Sequence, residues 1–167
     1  MFAFKKKYFL IIESIKDIDL RNIKTKNKYI IIYRYSVLKD SLVNLKIFRN
    51  KCKTKLIKFY IANNYKLATL IKSDGLYLSS YNNSFKALYL KKNNFTIIGS
   101  AHNYKEALLK IRQGCYYILF SKLFMVNYNN GAKTLGVVKF NYQLSQISHK
   151  IIPLGGINIS NLNKLKL

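Results

Sequence analysis

Seven short runs of β-branched and aromatic residues, separated by stretches of helical periodicity, restrict this chain more than any other feature. They are Tyr8–Glu13 (YFLIIE), Tyr29–Arg34 (YIIIYR), Lys58–Ala62 (KFYIA), Gly75–Leu78 (GLYL), Phe95–Ser100 (FTIIGS), Tyr116–Phe120 (YYILF) and Ile151–Leu154 (IIPL). Each is a continuous apolar run more than an alternating one, as expected of parallel strands buried on both faces. Helical candidates lie between them at Lys39–Lys51, Tyr65–Lys72, Phe85–Lys92, Tyr104–Gln113 and Gly136–Ser148. In the fourth, Asn103 can cap the first turn and Glu106 follows three residues later as in a capping box. Ala107, Leu108 and Ile111 supply its apolar face, and Gly114 supplies its stop. A βα unit therefore recurs about every 20 to 25 residues, which predicts a parallel α/β fold. Right-handed crossovers then leave an open doubly wound sheet or a barrel. No glycine-rich loop of the dinucleotide or P-loop type follows the first strand, which lowers the open-sheet nucleotide binder.

The 167 residues fit one domain, 1–167, but fall short of the roughly 200 to 250 of a complete eight-fold barrel. Half the residues are apolar and none of the apolar runs approaches the ~18 needed to cross a bilayer, so neither disorder nor a spanning helix is expected. The start, Met1–Leu10, carries three lysines before Tyr8–Ile12, a run too short for a signal-peptide core and without a small-residue cleavage site after it. Cys52 and Cys115 stand alone, without metal-ligand spacing, which suits buried free thiols in a reducing cytoplasm.

The formal charge of +24 raises nucleic acid as a partner, because lysine and arginine release counterions when they neutralise phosphates. The excess is nearly all lysine, with Arg21, Arg34, Arg49 and Arg112 the only arginines, and it is spread along the chain. Lys, Asn, Ile, Tyr, Phe and Leu are abundant while Pro occurs once and Trp never, the pattern of an AT-rich coding sequence. The charge is read as coding bias, with solubility and attraction of small phosphorylated ligands as its consequences, and no specific nucleic-acid partner is expected.

Four ordered segments carry a family resemblance. Ile61–Ala68 followed by Ser73–Leu78, then Ile97–Asn103 (IIGSAHN), Gly114–Phe124 (GCYYILFSKLF) and Ile152–Ile157 (IPLGGI) are similar to the third to seventh strand ends of thiamine phosphate synthases and thiazole tautomerases. They cover Lys58–Asn158, and Tyr8–Arg34 fits the first two strands more weakly. The resemblance implies a TIM-type (β/α) barrel with its active site at the C-terminal strand ends. After the seventh run only Ile159–Leu167 remain, too few for an eighth strand, so an incomplete barrel of about seven parallel strands is expected.

In a synthase of that family, the resemblance implies, a pyrimidine pyrophosphate loses magnesium-bound pyrophosphate and a thiazole phosphate captures the resulting carbon. Here Arg34 falls on the arginine of the second strand end, whose fork of donors suits pyrophosphate oxygens, but Ile32 and Ser36 replace its Gln and Lys neighbours. Asn63 matches the family's asparagine. Asn64 and Asn82 stand where magnesium-binding carboxylates are usual, and Tyr65 where an arginine is usual. Magnesium is a hard cation normally held by one or two carboxylates, so the expected Mg2+ binding is weak or absent. The segment Met125–Lys133 retains none of the family's Thr-Xaa-Thr-Lys element in register.

Ser100 is read either as a ligand donor or as a strand-end hydroxyl bonded to backbone. His102 matches a catalytic histidine of the tautomerase branch and can shuttle protons, or it is a structural residue before a helix start. Gly155 and Gly156 fit a turn whose amides approach a phosphate. His149 is read as solvent-facing. Three functions follow: a thiamine-pathway transferase or tautomerase acting on phosphorylated pyrimidine and thiazole ligands, a non-catalytic phosphate-ligand binder on the same scaffold, and, least favoured, a basic nucleic-acid binder. No membrane partner is expected, and a homo-oligomer is compatible with the sequence.

Overall fold

The computed structural model describes residues 7–24, 27–91, 95–121, 123–124, 134–147 and 150–155. All seven expected runs form strands: β1 (Tyr8–Ile12), β2 (Tyr29–Tyr33), β3 (Lys58–Ala62), β4 (Gly75–Leu78), β5 (Thr96–Ala101), β6 (Tyr117–Phe120) and β7 (Ile151–Pro153). They stand in one sheet in chain order, β1 to β7. That order is the one expected of a (β/α) barrel, and it excludes the reversed order of a doubly wound sheet. The chain divides into two compact units, Met1–Tyr77 with Lys92–Thr96 and Leu78–Lys91 with Ile97–Leu167.

In the first unit the parallel register pairs Leu10 with Ile31, Ile31 with Phe59 and Ile61 with Leu76. Ile31, Ile32, Tyr33, Phe59 and Ile61 are almost wholly withdrawn from water, which is why these strands read as unbroken apolar runs. After β1 the chain makes two 3-10 turns, Ile15–Asp17 and Leu20–Asn22. The first is held by Asp17, whose Oδ2 accepts the backbone N–H groups of Glu13 and Ser14, both at 2.8 Å; these bonds hold the Asp17 carboxyl below its ordinary pKa. The helix expected over Lys39–Lys51 instead runs as α1, Leu42–Thr54, with Ser41 Oγ accepting from Asn44 N. The later start has a physical cause in Asp40. Its carboxylate turns inward to accept from Ser14 Oγ (3.1 Å), Ile15 N (3.1 Å) and Tyr33 Oη (2.8 Å), so the residue is tied to the strand ends and not to the helix.

α1 buries Leu45, Phe48, Arg49 and Cys52, a spacing of three, one and three that marks one helical face. Phe48 lies edge-on to Phe59 of β3, ring centres 5.3 Å apart. Arg49 donates to Lys72 O (3.1 Å) and Asp74 Oδ1 (2.9 Å), and Asp74 Oδ2 accepts from Phe59 N (2.9 Å). Gly75 then opens β4 where no side chain fits, since a Cβ there would lie 2.0 Å from Thr96 O and 2.3 Å from the Tyr60 ring. α2 (Tyr65–Leu70) joins β3 to β4.

In the second unit the expected helix over Phe85–Lys92 is a 3-10 turn, Phe85–Ala87, continued by one α-turn, α3 (Leu88–Lys91). α4 (Tyr104–Arg112) has the expected cap, with Asn103 Oδ1 accepting from Glu106 N at 2.9 Å, and Gly114 follows at φ 78°. α5 (Val137–Ser145) lays Phe140 against Phe120 of β6, ring centres 6.0 Å apart. Gly99 leaves room on β5, where a Cβ would meet Cys115 Sγ at 2.8 Å and the Lys110 stem at 2.9 Å. Cys52 and Cys115 are both free and buried, and burial pushes each thiol up to about 12. Among the described residues no helix is long and apolar enough to cross a membrane.

Candidate functional site

Two candidate residues of the first unit stand at the C-terminal ends of adjacent strands. Arg34 follows β2, its N–H donates to Ile12 O at 2.8 Å, and its side chain is exposed. Asn63 follows β3 and sits at φ 57°, in the left-handed region that asparagine tolerates better than most residues. Its N–H donates to Tyr77 O at 2.8 Å. Since Tyr33 pairs with Ile61, these two strand ends are neighbours, and the register brings a cation and an amide to the same edge.

Asn64 has a defined structural task there. Its Oδ1 accepts from Leu67 N at 2.9 Å as the cap of α2, and its Nδ2 donates to Tyr35 Oη at 3.0 Å. Tyr35 in turn lies 5.0 Å, centre to centre, from the Tyr33 ring whose hydroxyl binds Asp40. Burial, reinforced by the Asp40 carboxylate, raises the Tyr33 phenol well above its ordinary pKa, so it acts as a neutral donor. Asp40 was not singled out from the sequence; an acid before a helix reads as a cap, and nothing local shows it turning inward.

The second unit holds the others. Ser100 is buried, next to last in β5 and opposite Leu119. His102 lies beyond the end of β5. Its backbone N donates to Glu106 Oε2 at 2.8 Å and its Nδ1 lies 3.3 Å from the same oxygen, with the side chain 52% exposed. Glu106 thus serves the helix cap and orients the imidazole at once. Gly155 follows β7 at φ 93°, a conformation that suits glycine, and its carbonyl accepts from Phe124 N at 3.1 Å. Gly156, His149 and Met125–Lys133 lie outside the described residues.

Asn82 belongs to the loop after β4, and its Oδ1 accepts from Ser84 N at 3.0 Å. Behind this loop stand two residues that sequence reasoning missed, Lys110 and Gln113 of the α4 segment, both wholly buried. Lysine and glutamine three apart on an amphipathic helix read as a solvated face; the neighbouring Gly99, which makes room for the lysine stem, is the one local signal. Burial lowers the Lys110 pKa. Among the described residues no group of three or more His, Cys, Asp or Glu is arranged to hold a metal.

The fold has solved counterparts. Thiamine phosphate pyrophosphorylase from Pyrococcus furiosus superposes with a TM-score of 0.68 at 16% identity, covering 96% of this chain and 80% of that one. The 2-keto-3-deoxy-6-phosphogluconate aldolase of Zymomonas mobilis ZM4, solved with 3-phosphoglycerate, follows at a TM-score of 0.53 and 14% identity, covering 92% and 71%. The architecture is therefore α/β of the TIM type. Among curated sequences, thiamine-phosphate synthase of Fusobacterium nucleatum subsp. nucleatum is 28% identical over 116 residues, 69% of this chain. The match spans 56% of that relative's length. A family profile described as thiamine monophosphate synthase matches residues 23–167, and the chain belongs to the thiamine monophosphate synthase family.

Proposed function

We propose that this chain serves thiamine biosynthesis in the cytoplasm by binding the phosphorylated pyrimidine and thiazole precursors, with little magnesium-dependent condensation of its own. The carrying observation is the state of the two asparagines. Asn64 Oδ1 accepts from Leu67 N and Asn82 Oδ1 from Ser84 N, so one lone pair of each amide oxygen is already committed to a backbone N–H. A neutral amide is also a poor replacement for the carboxylate that magnesium prefers. The residues present do not fit the metal, and no step is assigned to it.

For the phosphate groups, the exposed Arg34 guanidinium of the first unit supplies a charged fork of donors and Asn63, at the adjacent strand end, a neutral one. In the second unit Ser100 is assigned a neutral donor of its own strand end. Gly155, just past β7 at φ 93°, is assigned a backbone amide toward a phosphate. The buried free thiols accord with a reducing compartment. The dispersed lysines draw phosphorylated small molecules and do not form a nucleic-acid site. Inorganic pyrophosphate and thiazole phosphate, titrated calorimetrically into the purified chain, test the reading. Both are expected to bind, and Arg34→Ala should weaken pyrophosphate by about tenfold or more, as loss of a charged hydrogen bond implies. Absence of binding by the unaltered chain would contradict it.

One observation favours a second reading, thiazole tautomerase-like proton transfer. The Glu106 carboxylate faces His102 Nδ1 at 3.3 Å and leaves Nε2 as the nitrogen that would exchange a proton with a ligand. His102→Ala abolishing tautomerisation while leaving ligand affinity intact would support it. Binding without any turnover would leave the chain a non-catalytic ligand binder.

A further inference from the structure

Asp40 turns its carboxylate inward at the place where Arg34 leaves the sheet. Only 7% of the residue is exposed. Its Oδ1 accepts from Ser14 Oγ at 3.1 Å, and its Oδ2 accepts from Ile15 N at 3.1 Å and Tyr33 Oη at 2.8 Å. Ser14 and Ile15 follow the end of β1, and Tyr33 ends β2 immediately before Arg34. Arg34 N donates to Ile12 O at 2.8 Å, so the backbone of the arginine is laid on that same end of β1. One carboxylate therefore ties together the two strand ends that meet at Arg34, and all of these residues belong to the first unit. A buried carboxylate is costly unless donors surround it, and as an acceptor-only group it can collect donors from three separate points at once.

We propose that Asp40 is a positioning residue for phosphate binding, which fixes the ends of β1 and β2 so that the Arg34 guanidinium is presented to its anion from a rigid base. The inference rests on the phosphate-binding reading above and deepens it: Asp40 acts through the backbone that carries Arg34 and has no need to touch ligand. An exposed arginine loses rotamer freedom when it grips an anion, and a fixed backbone beneath it reduces the further ordering that binding requires. Electrostatics alone predicts the opposite sign. A carboxylate in the neighbourhood of an anion site disfavours the anion, so deleting it for its charge should tighten binding, whereas deleting it for its hydrogen bonds should weaken binding.

Calorimetric titration of inorganic pyrophosphate into the full chain compares the unaltered protein with Asp40→Ala and Asp40→Asn, two variants of equal charge. Asparagine can keep all three contacts, its oxygen accepting from Ile15 N and Tyr33 Oη while its NH2 donates to Ser14 Oγ, since a hydroxyl also accepts. The expected result is affinity about fivefold weaker in Asp40→Ala, within about twofold of the unaltered chain in Asp40→Asn, and no further loss when Asp40→Ala is added to Arg34→Ala. Exchange of the Arg34 amide hydrogen should quicken in Asp40→Ala and not in Asp40→Asn. Should Asp40→Ala fail to fold, Tyr33→Phe removes one of the three donors and should weaken pyrophosphate by about twofold. Pyrophosphate bound as tightly or more tightly by the variant used, equal losses in the alanine and asparagine variants, or a full further loss on top of Arg34→Ala would each overturn the inference. Failure of the unaltered chain to bind pyrophosphate would sink the phosphate-binding reading and this inference with it, an outcome distinct from binding that Asp40→Ala leaves intact.

Discussion

Removing Asp74 should destabilise the protein far more than removing the arginine it pairs with. The Arg49 guanidinium is nearly enclosed, 11% exposed, whereas the Asp74 side chain is 27% exposed. Among the described residues Arg49 Nη1 has no hydrogen-bond partner, so the cation is already short of one acceptor. Asp74→Ala leaves it with Lys72 O alone and also deprives Phe59 N of its acceptor. Breaking a buried pair by deleting one member costs about 3–5 kcal/mol, and the partial exposure of Asp74 places the expected loss near the lower end of that range. Arg49→Met leaves an aspartate that keeps Phe59 N–H and reaches water, for a cost of about 1–2 kcal/mol. With a urea slope of about 2 kcal/mol/M, the midpoints should fall by about 1.5 M and by about 0.5–1 M respectively. The double variant should be more stable than Asp74→Ala alone, because it no longer buries an unmatched charge. Equal losses in the two single variants, or a double variant worse than either, would refute the reasoning.

Gly75→Ala should cost about 3 kcal/mol or more, because its Cβ meets the Thr96 carbonyl, which is backbone and cannot step aside; thermal unfolding reads it. Gly99→Ala meets a thiol and a flexible lysine stem and should cost less. Asn64→Ala should lose about 1 kcal/mol by uncapping α2, whereas Asn64→Asp should keep the cap and stability. Both thiols are raised from 9.0 to about 12 in the folded chain, so it holds protons that the unfolded chain releases. Their contribution is fully present below pH 9 and lost as pH rises toward 12, and Cys115→Ala should flatten that decline in denaturation followed against pH.

The strand runs were legible because a parallel strand enclosed on both faces tolerates few polar residues, and Ile31, Phe59, Ile98 and Leu119 are all buried where the runs place them. The cap at Asn103 was legible for a local reason, since residue and acceptor lie three apart. Asp40, Lys110 and Gln113 were not, because their partners lie 26, 28 and 31 residues away and a polar residue near a helix carries no sign of that in its neighbours. The departures at Asn64 and Asn82 were visible as substitutions; that their amide oxygens bind backbone N–H groups required coordinates.

The claim that two amides have taken the place of magnesium carboxylates is tested most directly by thiamine phosphate formation from the pyrimidine pyrophosphate and thiazole phosphate, measured with and without magnesium in the unaltered chain and in Asn64→Asp/Asn82→Asp. Little product and no response to magnesium are expected of the former, with a magnesium-dependent rise in the latter; robust magnesium-dependent turnover by the unaltered chain would contradict the account.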